Sequence, residues 1–160
     1  MKDVLRLLEQ DARLTPADVA KATGRSVAEV EAIIKQATDD RVLLGYHAHV
    51  NWERVEGEQE VWALIGVRGT PQREVGFDDL AAQIARFPET RMVYLVTGDF
   101  DLAVMVVGKT MQEVSDFVSR RLYSLDGMKG TNSYFIMRRY KDQGATLKVE
   151  PPTQRLAVTP

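Results

Sequence analysis

The stretch from Arg91 to Gly108 constrains this chain most. Two apolar, β-branched runs flank a short polar break, Gly98 to Asp101. Apolar runs of this length bounded by turn residues read as buried strands, and the break between them reads as a tight connection. Leu102 to Val107 is apolar at every position, the pattern of a central strand covered on both faces. The break places Gly98 and two carboxylates, Asp99 and Asp101, in the most apolar part of the chain. Polar groups converging beside an apolar sheet make a small-molecule site. The carboxylates would take a ligand's ammonium, and the turn amides its carboxylate. The local alternative is that Asp101 caps turn amides and Gly98 permits the bend.

The elements around this hairpin define an α+β unit over residues 61–141. Val61 to Val67 reads as a strand. Phe77 to Phe87 reads as a helix with Leu80, Ile84 and Phe87 on one face, stopped by Pro88. Thr110-Met111-Gln112-Glu113 has the spacing of a capping box and opens a helix to about Leu122. Val114, Phe117, Val118 and Leu122 are its inward positions. Thr131 to Tyr140 supplies a last strand. The order β-α-β-β-α-β is the ferredoxin-like split unit, whose first and third strands lie mid-sheet. Residues 142–160 hold three prolines and no apolar periodicity, and read as a flexible, loosely held tail.

Residues 1–45 read as three short helices. Val4, Leu5, Leu7 and Leu8 recur at helical spacing in the first. Thr15-Pro16-Ala17-Asp18 opens the second, with Thr15 as N-cap, Pro16 at the first helical position and Asp18 as an acidic capping-box partner. Gly24 ends it. Ser26-Val27-Ala28-Glu29 is another capping box, opening a third helix to about Asp40 with Val30, Ile34 and Ala37 inward. Two capped helices across a glycine turn make a helix-turn-helix pattern. Residues 46–60 read as a linker strand and a charged loop containing Gly57.

Several chemistries have no residues to run on. With no cysteine, disulfides and thiolate metal sites are excluded, and a reducing, cytoplasmic setting fits. The first residues read as a charged amphipathic helix rather than a secretory signal, and no apolar run approaches the ~20 residues needed to span a bilayer. No nucleophile–base pair, phosphate loop or metal motif is present, so no catalytic residue, metal or cofactor is expected and the chain does not read as an enzyme. His47 and His49 share one face of an extended segment, but zinc sites use three or four ligands and no third is evident. Trp52 and Trp62 read as packing or interface anchors. The net charge of −2 gives no global pull on nucleic acid, so any such site is local.

Leu14-Thr15 through Ser26 and Val30, then Val42-Leu43-Leu44-Gly45-Tyr46, then Gly98-Asp99-Phe100-Asp101-Leu102 together resemble the Lrp/AsnC family of feast/famine transcription regulators, over roughly residues 1–141. The resemblance implies a winged-type helix-turn-helix that binds double-stranded DNA, with Lys21, Arg25, Ser26, Lys35 and Arg41 as the contacting residues. It implies a RAM/ACT-like ferredoxin-like domain that builds a homodimer or higher homo-oligomer. It also implies an amino acid or related effector held at the subunit interface by Gly98, Asp99, Phe100 and Asp101, with Thr131 and Ser133 at the family's hydroxyl positions.

The third helix departs from a basic recognition surface. Ala28, Glu29, Glu31, Ala32, Ile33, Lys35 and Gln36 are its expected outer residues, and acidic groups facing phosphates are costly. Glu29 has a local use in its capping box; Glu31 has none. A second reading is therefore a small-molecule-sensing oligomer whose helix-turn-helix no longer binds DNA, with an exposed Ile33 as part of a protein contact. The siroheme decarboxylases resemble the same architecture but carry a Trp-Pro-Tyr-Asn type of turn where this chain has Gly98-Asp99-Phe100-Asp101.

Overall fold

The computed structural model describes residues 1–57, 60–73 and 75–147. It divides into two compact units, Met1–Val50 and Asn51–Pro160.

The first unit holds α1 (Lys2–Gln10), α2 (Pro16–Thr23) and α3 (Val27–Asp39). Both expected capping boxes form. Thr15 Oγ1 accepts from the Asp18 amide at 3.2 Å while the Thr15 amide donates to the Asp18 carboxylate at 3.0 Å. Ser26 and Glu29 repeat the exchange at 3.2 and 2.8 Å. These contacts satisfy amide groups that the first helical turn leaves without partners. Gly24 ends α2 in the left-handed conformation, φ 68°, which glycine adopts without steric cost. Val4, Leu8, Val19, Ala20 and Val30 close a small core, with Leu7, Leu14, Ile33 and Ile34 packed against it.

The second unit is a four-stranded antiparallel sheet in the order β2-β3-β1-β4. Its strands are β1 (Val61–Gly69), β2 (Thr90–Leu95), β3 (Leu102–Gly108) and β4 (Met128–Phe135). The first and third strands are central, as the βαββαβ order requires. Both helices, α4 (Asp78–Ala85) and α5 (Met111–Asp116), pack on one side. There Ile65, Val67, Leu102, Val104 and Val106 are fully buried beneath Leu80, Ile84, Val114 and Leu122. The helical path continues beyond α5 as a wider π-type turn, Phe117–Leu122.

The structure departs from sequence expectation at four places. The third capping box is only half formed: Thr110 Oγ1 accepts from the Glu113 amide, but Glu113 turns to the Lys109 amide at 2.6 Å. The last strand spans Met128–Phe135 rather than 131–140, because its ladder with β1 runs out where β1 begins, at the Ile136 amide to Trp62 carbonyl bond. No strand forms over residues 46–57, within the 46–60 segment where a linker strand and loop were expected. A strand needs a ladder partner, and none is paired with this segment among the described residues. Finally, residues 141–146, within or beside the expected tail, form a two-residue by two-residue hairpin, β5 (Lys141–Asp142) and β6 (Ala145–Thr146). The Asn51 side chain donates to the Leu147 carbonyl at 3.2 Å. The remainder of the expected tail, residues 148–160, lies outside the described residues.

Candidate functional site

In the first unit the outer side of α3 is bare. Ala28, Glu31, Ala32 and Lys35 are exposed at helical spacing, while Val30 and Ala37 face inward. Ile33, expected outside, packs against the core instead. The position is apolar and adjoins Ile34, so burial takes both; the exposed apolar contact imagined for the second reading is not there.

The expected DNA-contacting residues fall into two sets. Arg25 donates to Asp3 from Nε at 3.1 Å and Nη2 at 2.9 Å, tying the α2–α3 turn to α1. That guanidinium and the N-terminal ammonium hold the Asp3 carboxyl far below the usual carboxylate range. Lys35 is paired with Asp39 along the helix, and the Ser26 hydroxyl is engaged in its capping box. Lys21 and Arg41 are exposed, and their side chains make no hydrogen bond or ion pair among the described residues. Arg41 follows α3 in the left-handed region, φ 55°. Glu29 lies below its ordinary pKa because the Ser26 amide and hydroxyl stabilise its charge. Glu31 has no such partner.

In the second unit the Gly98–Asp101 connection is fixed by its last two residues. The Asp101 amide donates to the Val67 carbonyl at 2.9 Å, and the Gly69 amide donates to the Asp101 carboxylate at 2.9 Å. Asp101 thereby grips the end of β1 on both sides of Arg68. Phe100 lies over Gly66: a β-carbon there would sit 2.5 Å from the ring. Gly66 is the residue that lets this ring reach the sheet. Gly98 and Asp99 are exposed, Gly98 with φ 136°. Asp99 has no hydrogen-bond partner among the described residues.

The expected effector residues do not all share one face. Gly66 pairs with Asn132, so Phe100 and Asn132 share the side away from the helices. Thr131 and Ser133 pair with Val67 and Ile65 and therefore belong to the helix-covered side. Thr131 hydrogen-bonds Tyr123, which draws the phenol below its ordinary pKa. Sequence reasoning missed Arg68, an exposed cation between the two residues that Asp101 holds. Its signal was the abrupt end of the apolar run Val61–Val67.

The side of the sheet away from α4 and α5 carries Trp62, Leu64, Met92, Tyr94, Met105 and Tyr134, by the pairings Trp62–Val107, Leu64–Met105, Leu64–Tyr134, Met92–Met105 and Tyr94–Ala103. Tyr94 and Tyr134 are 58% and 51% exposed. Trp62 is covered by the Arg139 guanidinium, 5.0 Å from its ring. A cleft of about 550 Å³ opens at the far end of β3 from the Gly98–Asp101 connection, over Val106, Val107, Val114 and Phe117. Arg121 crosses its rim to Glu89 at 2.9 Å. Among the described residues no group of three histidine or carboxylate side chains is placed to hold a metal, and no helix is long and apolar enough to cross a membrane.

Comparison with known proteins gives two family matches. Residues 62–146 match the Lrp/AsnC ligand binding domain, and residues 1–43 match a winged helix-turn-helix DNA-binding model. The HTH-type transcriptional regulator YugG of Bacillus subtilis, itself uncharacterised, is 37% identical over 99% of this chain and 95% of its own length. The leucine response regulatory protein LrpA of Mycobacterium tuberculosis superposes with a TM-score of 0.73 at 23% identity, covering 91% of this chain and 96% of that one. A transcriptional regulator of Neisseria meningitidis solved as a complex with L-methionine gives 0.66 at 24% identity, covering 91% and 93%. At these identities the two structures speak to the fold.

Proposed function

The chain belongs to the Lrp/AsnC family of transcriptional regulators, with a helix-turn-helix and a ligand-binding domain, and from that premise we propose that it binds duplex DNA as a homo-oligomer under control of an amino acid. The observation that carries the DNA reading is the outer side of α3. The N-termini of α2 and α3 are both closed by capping boxes, the inner residues fill the core, and Ala28, Glu31, Ala32 and Lys35 are left facing solvent. Lys21 and Arg41 supply phosphate contacts from either side of α3. Such contacts position the protein and make affinity fall with salt.

The exposed sheet side supports the oligomer. A second copy facing Leu64, Met92, Tyr94, Met105 and Tyr134 would remove these apolar groups from water, which favours association at about 25 cal/mol per Å² of apolar surface. Leu44 and Tyr46, both exposed, offer an apolar segment for the same assembly.

For the effector, Asp99 supplies a free carboxylate for an ammonium and Arg68 a guanidinium for a carboxylate. Asp101 and Phe100 fix the loop that carries Asp99. The methionine complex of the Neisseria protein supports an amino acid as the ligand class. Such a ligand acts only through a difference in affinity between two assemblies or two inter-domain arrangements.

Fluorescence anisotropy on a labelled duplex from the gene's own upstream region, at low and moderate salt, tests this reading. Saturable binding that weakens with salt and exceeds binding to a scrambled duplex is expected. Adding each amino acid in turn should shift the curve for one of them, and Asp99→Asn should abolish that shift without affecting DNA binding in its absence. Binding equal on both duplexes at every salt concentration would sink the regulator reading.

A further inference from the structure

The acidic character of α3 has a specific use. Of its charged side chains, Glu29 closes the capping box with Ser26, and Lys35 and Asp39 pair with each other. Among the charged side chains of its first two turns, Glu31 is the one exposed with no partner among the described residues. It stands one turn from Ala28 and beside Ala32, both exposed. Two methyl-sized neighbours let the helix backbone come close to whatever it faces. In a helix-turn-helix the N-terminal residues of the second helix meet base edges.

A carboxylate brought into that setting is repelled by every phosphate around it, so it needs a donor. The major groove offers two amino donors, cytosine N4 and adenine N6. Beside the adenine amino group lies N7, an acceptor that opposes the second carboxylate oxygen. Beside the cytosine amino group lies an apolar C5–H edge. Cytosine is therefore the base a carboxylate selects.

We propose that Glu31 is a specificity-determining residue that accepts a hydrogen bond from the N4 amino group of a cytosine in each half-site, with Ala28 and Ala32 alongside to meet thymine methyl groups. The proposal rests on the DNA-binding reading above and assigns its base preference. It also explains how an acidic helix serves DNA: Glu31 lowers affinity for duplexes in general and restores it on duplexes that present the amino group.

Selection from a random duplex library with the full-length protein, its Glu31→Ala and its Glu31→Gln variant tests this. Glu31 is exposed and its side chain makes no hydrogen bond or ion pair among the described residues, so both variants should keep the parent's circular dichroism. The parent should select a C·G pair at one position per half-site and bind it about tenfold more tightly than the T·A substitution, the scale of one good base contact. Glu31→Ala should lose that preference and keep the others. Glu31→Gln should move the preference toward adenine, whose N6 and N7 match an amide. Retention of the C·G preference by Glu31→Ala would overturn the proposal. So would a uniform gain in affinity by both variants on every duplex, which would mean Glu31 merely repels phosphate. Failure of the parent to bind any duplex in a salt-dependent way removes the DNA-binding reading itself, and this proposal with it.

Discussion

The two units of this chain are held together in opposite ways. The second rests on a sheet whose helix side is packed by a continuous apolar cluster, from Ala63, Ile65 and Val67 through Leu102, Val104 and Val106 to Val114 and Leu122. The Gly98–Asp101 loop is tied to that frame by Asp101. The first has a smaller buried set, Val4, Leu8, Val19, Ala20, Val30 and Ala37, and its geometry is set by capping boxes and by the Arg25–Asp3 pair. A unit of this size buries too little to be more than marginally stable alone. The same polar contacts that stabilise it also occupy Arg25, Ser26 and Lys35. The first unit thus uses its charges to fold and has few left for DNA; the second folds on its core and leaves the Asp99 and Arg68 side chains without a hydrogen bond or ion pair among the described residues.

The largest expected effect comes from emptying each core in turn. Leu102→Ala should cost about 3 kcal/mol, and Val30→Ala about 2 kcal/mol. Both tryptophans, Trp52 and Trp62, lie in the second unit, so tryptophan fluorescence reports it alone while far-ultraviolet circular dichroism reports both. Leu102→Ala should lower the fluorescence transition. Val30→Ala should lower only the dichroism transition and abolish DNA binding. A single shared transition moved equally by both substitutions would break the contrast between the units.

Acid should separate the units next. Asp3, Asp11, Asp18 and Glu29 all titrate below their ordinary values. Asp3 and Asp11 are lowered first by hydrogen bonds from Arg25 and Arg13, Asp18 by Thr15, and Glu29 by the Ser26 amide. Asp11 is drawn down to about 2. A carboxyl lowered on folding stabilises the fold above its unfolded pKa and loses that contribution as pH falls toward the folded one. Those unfolded values are 3.8 for aspartate and 4.5 for glutamate. Stability of the first unit should therefore be flat above about pH 5 and decline below about pH 4. The second unit rests on its apolar cluster rather than on such contacts, so its fluorescence transition should respond less over the same window.

This contrast also explains what could be read from the sequence. Caps and helices are local, and Thr15–Asp18 and Ser26–Glu29 were legible because each box spans three residues. The βαββαβ order was legible because a hydrophobic run needs only its own neighbours to be recognised. Availability of the DNA-facing cations was not, since Arg25 is taken by Asp3, 22 residues away. Nor was the geometry of the effector loop, which depends on Asp101 reaching Gly69 across 32 residues. Thr131 and Ser133 were placed beside Phe100 by motif, but the strand register that puts Gly66 opposite Asn132 sends them to the other side of the sheet. The segment 43–51 carries a strand's composition without a strand's partner among the described residues.

The smallest expected effect divides folding from function at one residue. Arg41 ends α3 at φ 55°, a conformation that costs a side chain with a β-carbon roughly 1 kcal/mol and glycine almost nothing. Helices commonly place glycine at such a position. Arg41→Gly should therefore stabilise the first unit, by about 0.5 kcal/mol once the greater freedom of glycine in the unfolded chain is set against the relieved strain. The dichroism transition should rise slightly and the fluorescence transition stay put. The same substitution removes one of the two cations that remain free beside α3. Affinity for duplex should fall, and the slope of its logarithm against the logarithm of salt concentration should become shallower by about one. Opposite signs in the two measurements would mean that a strained arginine is kept where glycine folds better because the charge is needed there. A gain in stability with DNA binding untouched would leave Lys21 to carry the phosphate contacts and would remove Arg41 from the interface.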